Sequence, residues 1–394
     1  MMDLPGQKVK VIHSTSRWLS QTQTWMYNHI RHLPKEIESH IVCQRVENLD
    51  QFPLPNIHCW PGESLLSRKL CGFLRLAGVS CDLMYATKIA SCVGAQVLHS
   101  HFGNRGWEML PVAQRAGLKH VVSFYGYDLT KLPNRKPVWR DRYLQLFEEG
   151  DLFLCEGPHM ADVLAGLGCP RKKILVQRLG VDLFNLPFRK PQRAQGDPLR
   201  ILIAGRFSEK KGFKYALEAI GELLRKGRDI HVSIIGDATP HSNTIDEKKV
   251  ILSTIEKYGM SSRVKLLGFK PHSYLIQSFC EHDVLLSPSV SAADGDSEGG
   301  APVTIIEAVA AGLPVVSTYH CDIPYVVGGN DGAFLAPERS VDVLCQKLDD
   351  LYKYPHLGRE KSISARRHVE KNYDLVEQSV LLAEKYRSLV STSR

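Results

Sequence analysis

The sequence predicts an α/β protein of two doubly wound domains. Three observations predict it. Short β-branched runs alternate with helical patterns along almost the whole chain, and the same rhythm repeats on both sides of a polar segment at residues 188–198. The length of 394 residues also exceeds what one ordinary core accommodates.

In the first half, strands are expected near residues 8–13, 38–44, 96–100, 119–124 and 173–177, with helices near 21–33, 80–92, 106–116, 137–149 and 158–167. The second half is more regular. Leu199 to Ala204 is a strand that stops at Gly205, and Phe213, Ala216, Leu217, Ile220, Leu223 and Leu224 then recur at the spacing of a helix packed on a sheet. Gly227 closes that helix, and strands follow at 230–235, 263–267, 283–287, 314–318 and 333–335. Near-continuous apolar strands joined by helices imply right-handed crossovers and buried parallel sheets. The segment Phe188 to Pro198, with two prolines and a glycine, reads as the linker. The expected domains are therefore residues 1–190, with a last helix near 373–394 packing back on them, and residues 198–372. Ligands of such sheets bind at the carboxyl ends of the strands, which points to a groove between the two domains.

Composition excludes several classes. At 43% hydrophobic and 23% charged, the chain is neither disordered nor fibrous. No apolar run approaches the roughly 18 residues of a membrane span, and no signal-peptide pattern precedes Val9, so a cytoplasmic location is expected. The ten cysteines form no Cys-x-x-Cys pair and read as reduced thiols. Residues 1–200 hold 26 Lys and Arg against 17 Asp and Glu, whereas the remainder is close to neutral, which suggests an anionic partner for the first half. Nothing interleaves basic and aromatic residues as a nucleic-acid site would. The stretch Ser64 to Leu76, apolar with three basic residues, is either an interfacial helix lying on an anionic membrane or an ordinary domain helix.

Two segments carry chemistry. Gly205-Arg206-Phe207-Ser208-Glu209-Lys210-Lys211-Gly212 lies at a strand-to-helix turn, where glycines permit a tight bend, the next helix offers unpaired N–H groups, and Arg206 and Lys211 add positive charge. That set suits a diphosphate, although a solvated, capped loop has a similar composition. The second segment runs from Asp294 through Glu298, Gly299, Gly300, Ala301 and Pro302 to Glu307. Paired glycines before a helix let a ligand approach the backbone, and carboxylates accept hydrogen bonds from sugar hydroxyls.

Together these segments resemble the C-terminal domain of the family 4 retaining glycosyltransferases, also called group 1, which have the GT-B fold of two facing Rossmann-like domains. Gly205-Arg206 with Lys211 is similar to that family's diphosphate-binding pair, and Glu298 through Glu307 to its paired-glutamate motif. Ala308-Val309-Ala310-Ala311-Gly312-Leu313-Pro314-Val315-Val316 follows as the family has it. Further matches are Ile235-Gly236-Asp237, Leu267-Gly268-Phe269 and Gly180-Val181-Asp182. In the first half, Leu98 to Gly103, Phe124 to Asp128 and Leu19-Ser20-Gln21-Thr22 resemble segments of the bacterial polysaccharide-building branch.

The resemblance implies transfer of a hexose-type sugar, with retention, from a UDP- or GDP-type nucleotide sugar to a glycan or lipid-linked acceptor. Catalysis would fall to Arg206, Lys211, Glu298, His101 and Tyr125. The donor would be held by Gly205, Gly236, Asp237, Gly268, Phe269, Glu298, Gly299, Gly300, Ala301, Pro302 and Glu307, and the acceptor met by Ser20, Gln21, Thr22 and Asp128. Two cationic side chains can do a magnesium ion's work on the diphosphate, so no metal and no other cofactor is expected. There are three departures from the family pattern. Eight residues separate Glu298 from Glu307 where seven are usual; Tyr125 stands where many relatives carry a histidine; and the first loop lacks the common Gly-Gly.

Overall fold

The computed structural model describes residues 8–20, 23–60, 80–186, 188–240 and 242–391. Gln21, Thr22 and the basic apolar stretch at 64–76 lie outside the described residues. The chain divides into two compact units, residues 1–180 with 375–394, and residues 181–374. Residues 181–190, expected in the first domain, therefore belong to the second unit, while the last helix belongs to the first.

The first unit is a parallel sheet of β1 (Val9–Trp18), β2 (Ile37–Val46), β3 (Ile57–Cys59), β4 (Val97–His101), β5 (Lys119–Ser123), β6 (Leu152–Cys155) and β7 (Ile174–Val176). Their order is β3-β2-β1-β4-β5-β6-β7, so the chain reverses direction across the sheet between β1 and β4. β3 and β6 are not among the expected strands. They are 3 and 4 residues long, too short for a period to show, and β6 holds no β-branched residue. Alternation along β1 sends Val11 into one apolar layer and Ile12 into the other. Val11, Val97, Val121 and Leu154 are covered by Leu382, Ala383 and Tyr386 of the last helix, Leu375–Ser391.

The second unit is a parallel sheet of β8 (Leu199–Ala204), β9 (Ile230–Ile235), β10 (Val264–Gly268), β11 (Val284–Ser287), β12 (Val315–Thr318) and β13 (Phe334–Ala336), in the order β10-β9-β8-β11-β12-β13. Its reversal falls between β8 and β11. Helix Phe213–Arg225 buries Phe213, Ala216, Leu217, Ile220 and Leu223, the stripe its spacing predicts. The charge asymmetry follows this division. The first unit holds 25 Lys and Arg against 17 Asp and Glu, and the second 25 against 25, so the entire net charge of +8 resides in the first.

Candidate active site

At the carboxyl edge of the second sheet, three glycines let three strand ends crowd together. The Gly205 N–H donates to Ile235 O at 2.9 Å and that of Gly236 to Gly268 O at 2.9 Å. Gly236 has φ +134, and a Cβ there would lie 1.9 Å from Gly205 O, so no other residue fits. Gly212, at φ +67, ends the turn Glu209–Lys211 and approaches Pro288 as closely, since its Cβ would stand 1.9 Å from Pro288 O. This contact docks the cationic turn after β8 onto the loop after β11, at the point where the sheet order reverses.

Polar bonds complete the docking. The Val290 N–H donates to Lys210 O at 2.9 Å, and the Ala293 N–H to the Glu209 carboxylate at 3.0 Å. Lys210 reaches Asp296 at 3.2 Å and Ser297 O at 2.8 Å. Lys211 Nζ lies 2.9 Å from the Glu298 carboxylate, which also accepts from Ser289 Oγ at 3.1 Å. Burial opposes ionisation of Glu298, but Lys211 and Lys210 outweigh it and bring its pKa down to about 2. Arg206, by contrast, is exposed, and no carboxylate among the described residues pairs with it. The two segments read from sequence as separate motifs are thus one assembly.

The remaining expected donor contacts share this edge. Gly299 takes φ +76, and Gly300 O accepts the Asp322 N–H at 3.2 Å. Ala301 and Pro302 are buried just before helix Val303–Ala311. Glu307, in that helix, is 6% exposed and bonds through Oε1 to His272 Nε2 at 2.7 Å. His272 opens the helix that follows β10, and its bond to Glu307 raises its pKa. Phe269 is exposed at the end of β10. Asp237 is paired with Lys248 at 2.7 Å. The Asp294-Gly295-Asp296 triplet has the Asp-x-Asp spacing of some metal sites, but Asp296 is engaged by Lys210 and its N–H donates to Asp294 at 3.1 Å.

His320 and Glu338 hold the Glu298 loop, and the sequence reading misses both. The Glu298 N–H donates to His320 Nε2 at 3.2 Å, and His320 Nδ1 bonds Glu338 at 2.6 Å. Glu338 also accepts the Ser291 N–H at 2.8 Å. Turns after β12 and β13 thereby hold the loop that carries Glu298. The sequence signal is slight: a histidine beside Cys321, which has φ +47 without being a glycine.

In the first unit, His101 closes β4 and Tyr125 follows β5. Both are buried and bond to each other, His101 Nδ1 to Tyr125 OH at 2.9 Å, with Trp25 packed on Tyr125 at 4.3 Å between ring centroids. Burial lowers the His101 pKa to about 3, so its ring is neutral. Asp128 is expected from sequence to meet the acceptor. It is instead fully buried, and its carboxylate accepts the N–H groups of Gly103 at 2.7 Å and Tyr125 at 2.9 Å. That clamp leaves it a backbone anchor. Burial raises its pKa to about 6 against those bonds. Ser20 is half-buried, and its carbonyl accepts the Gln23 N–H at 3.0 Å.

Comparison with known proteins decides the family. The model for group 1 glycosyl transferases matches residues 186–371, and that for glycosyltransferase family 4 matches residues 22–184. The chain belongs to the family 4, group 1 glycosyltransferases. Among this family's members, WcaL of Escherichia coli K12, named for colanic acid biosynthesis, is 30% identical over 84% of this chain and 76% of its own. AmsK of Erwinia amylovora, named for amylovoran biosynthesis, is 35% identical over 64% of this chain and 60% of its own. The glycosyltransferase fold is GT-B. A Rickettsia africae glycosyltransferase matches with TM-score 0.76 at 16% identity, covering 98% of this chain and 99% of that one. Anabaena HepE in complex with UDP matches with TM-score 0.79 at 14% identity, covering 96% and 100%. No helix among the glycosyltransferase's described residues is long and apolar enough to cross a membrane.

Proposed function

We propose that this glycosyltransferase moves a hexose-type sugar from a UDP- or GDP-type nucleotide sugar to a glycan or lipid-linked acceptor in exopolysaccharide biosynthesis, with retention and without a metal at the diphosphate. The observation that carries the proposal is the docking of the Gly205–Gly212 turn on the Glu298 loop through Gly212–Pro288 and Lys211–Glu298. Relatives named for colanic acid and amylovoran biosynthesis support the pathway class, and UDP in HepE supports a nucleotide donor.

In this reading the acceptor hydroxyl attacks the anomeric carbon on the face the diphosphate leaves. The new C–O bond forms as the old one breaks, the electron pair departs with the diphosphate, and a diphosphate oxygen takes the proton. Arg206 and Lys211 stabilise the charge growing there, Lys211 already oriented by Glu298. Glu307 holds the ribose hydroxyls and the backbone at Gly299 and Gly300 the sugar, with Tyr125, seated by His101, on the acceptor side. The enzyme acts in the cytoplasm, and the surplus charge of the first unit favours contact with an anionic membrane face.

Arg206→Ala is the clean test because the side chain is exposed and pairs with no carboxylate among the described residues. It should leave the melting temperature unchanged and lower turnover by about 10²–10³-fold, the loss of one oriented donor. Near-wild-type turnover would remove the phosphate-site assignment. Lys211→Ala should cost as much, but it also strands Glu298 and must be read beside its melting curve. Proton NMR of the first-formed product, with its anomeric configuration compared with the donor's, checks retention.

A further inference from the structure

Three histidines in the first unit have no role in the reading above that requires them to lie together. His13 on β1 and His99 on β4 are directly paired across the sheet, and His101 lies two residues farther along the same face. All three are buried. One ring nitrogen from each falls within 4.8 Å of the other two.

Their outer nitrogens are held by oxygens. His13 Nε2 meets Ser39 Oγ at 3.4 Å, His99 Nε2 meets Ser123 Oγ at 2.7 Å, and His101 Nδ1 meets Tyr125 OH at 2.9 Å. Metal-ligating histidines are held in the same way, the outer N–H donating to an oxygen that fixes tautomer and ring orientation. His13 Nδ1 lies 3.3 Å from His101 Nε2, close to the roughly 3.3 Å between two nitrogens on a tetrahedral zinc. His99 Nδ1 faces Tyr386 OH at 2.6 Å. A cavity of about 20 Å³ borders the three rings, enough for one water-sized occupant.

We propose that His13, His99 and His101 bind a zinc-class divalent ion, with the Tyr386 phenol or a water as fourth ligand. Imidazole ligands and an interior site favour zinc over magnesium or calcium. The site is structural: it joins β1, β4 and the last helix, and through His101 it holds the Tyr125 ring.

The test uses the whole protein, stripped with a chelator, reloaded with zinc chloride and gel-filtered. About one zinc per chain by mass spectrometry, and a melting temperature raised by several degrees, are expected. Cobalt(II) in its place should give the intense visible absorption of a tetrahedral site. His13→Gln and His101→Gln keep a polar side chain in each slot. Both should fold by circular dichroism, lose the zinc and lose the melting shift. Two results overturn the proposal: wild-type protein that holds no zinc and melts unchanged, or variants that retain zinc as wild type does. Neither depends on activity, so the outcome is separate from the transfer assignment.

Discussion

At the scale of single residues, the site depends on groups that never touch a sugar. His320 accepts the Glu298 N–H with one nitrogen and meets Glu338 with the other, so a glutamate expected to face the donor is aimed by a histidine beyond the next strand. His320→Ala leaves that N–H without its acceptor, a cost of about 1–3 kcal/mol. Turnover should fall about tenfold with the donor KM raised, because the loop carries Glu298, the partner that orients Lys211. His320→Gln offers an oxygen at the position of Nε2 and should restore most of the loss. If alanine and glutamine behave alike in steady-state kinetics, His320 fills space and does not position the loop.

At the scale of elements, the glycine turns are legible in sequence and their partners are not. Gly205, Gly212, Gly236 and Gly268 stand out because strand ends that bend sharply need them. Which carbonyl each one approaches depends on strand order, and Ile201 of β8 pairs with Val284 of β11 although two other strands intervene along the chain. Gly236→Ala would drive a methyl group into Gly205 O and separate β8 from β9 at their ends. Nucleotide binding, measured calorimetrically, should be lost even where the variant folds. Apolar runs place each strand from β8 to β13 within a residue, whereas β3 and β6 are too short and too poor in β-branched residues to register. Asp128 misleads for a related reason: an Asp beside aromatic and glycine residues looks like a ligand, and only the fold shows its oxygens occupied by Gly103 and Tyr125.

At the scale of the whole molecule, acid should act unequally on the two units. His29 and His120, which lie outside the three-histidine cluster, are buried in the first unit, and burial lowers both pKa values to about 4. Above the unfolded value of 6.5 both states are neutral and nothing is lost. Below it the unfolded chain takes up protons that the folded unit refuses, so stability falls by about 1.4 kcal/mol per pH unit for each histidine until the folded values near 4 are reached, and Asp128, raised to about 6, offsets one histidine's share below that pH. In the second unit, Glu298 keeps its charge down to about 2, and its ion pair contributes throughout this range. Calorimetry between pH 7 and 5 should show the transition of the first unit moving to lower temperature while the second lags behind. Parallel shifts would mean that the buried histidines do not govern acid sensitivity.

The last helix also orders events during synthesis. The second unit is one unbroken stretch of chain, so all of it is made before the last helix of the first. The first unit is not complete so early: the slot filled by Tyr386 against His99 stays open until the last helix has been made. The sheet of the first unit thus precedes the second unit in the chain yet is completed after it, and a chain truncated after Asp374 should carry a protease-resistant second unit joined to a first unit that is still cleaved.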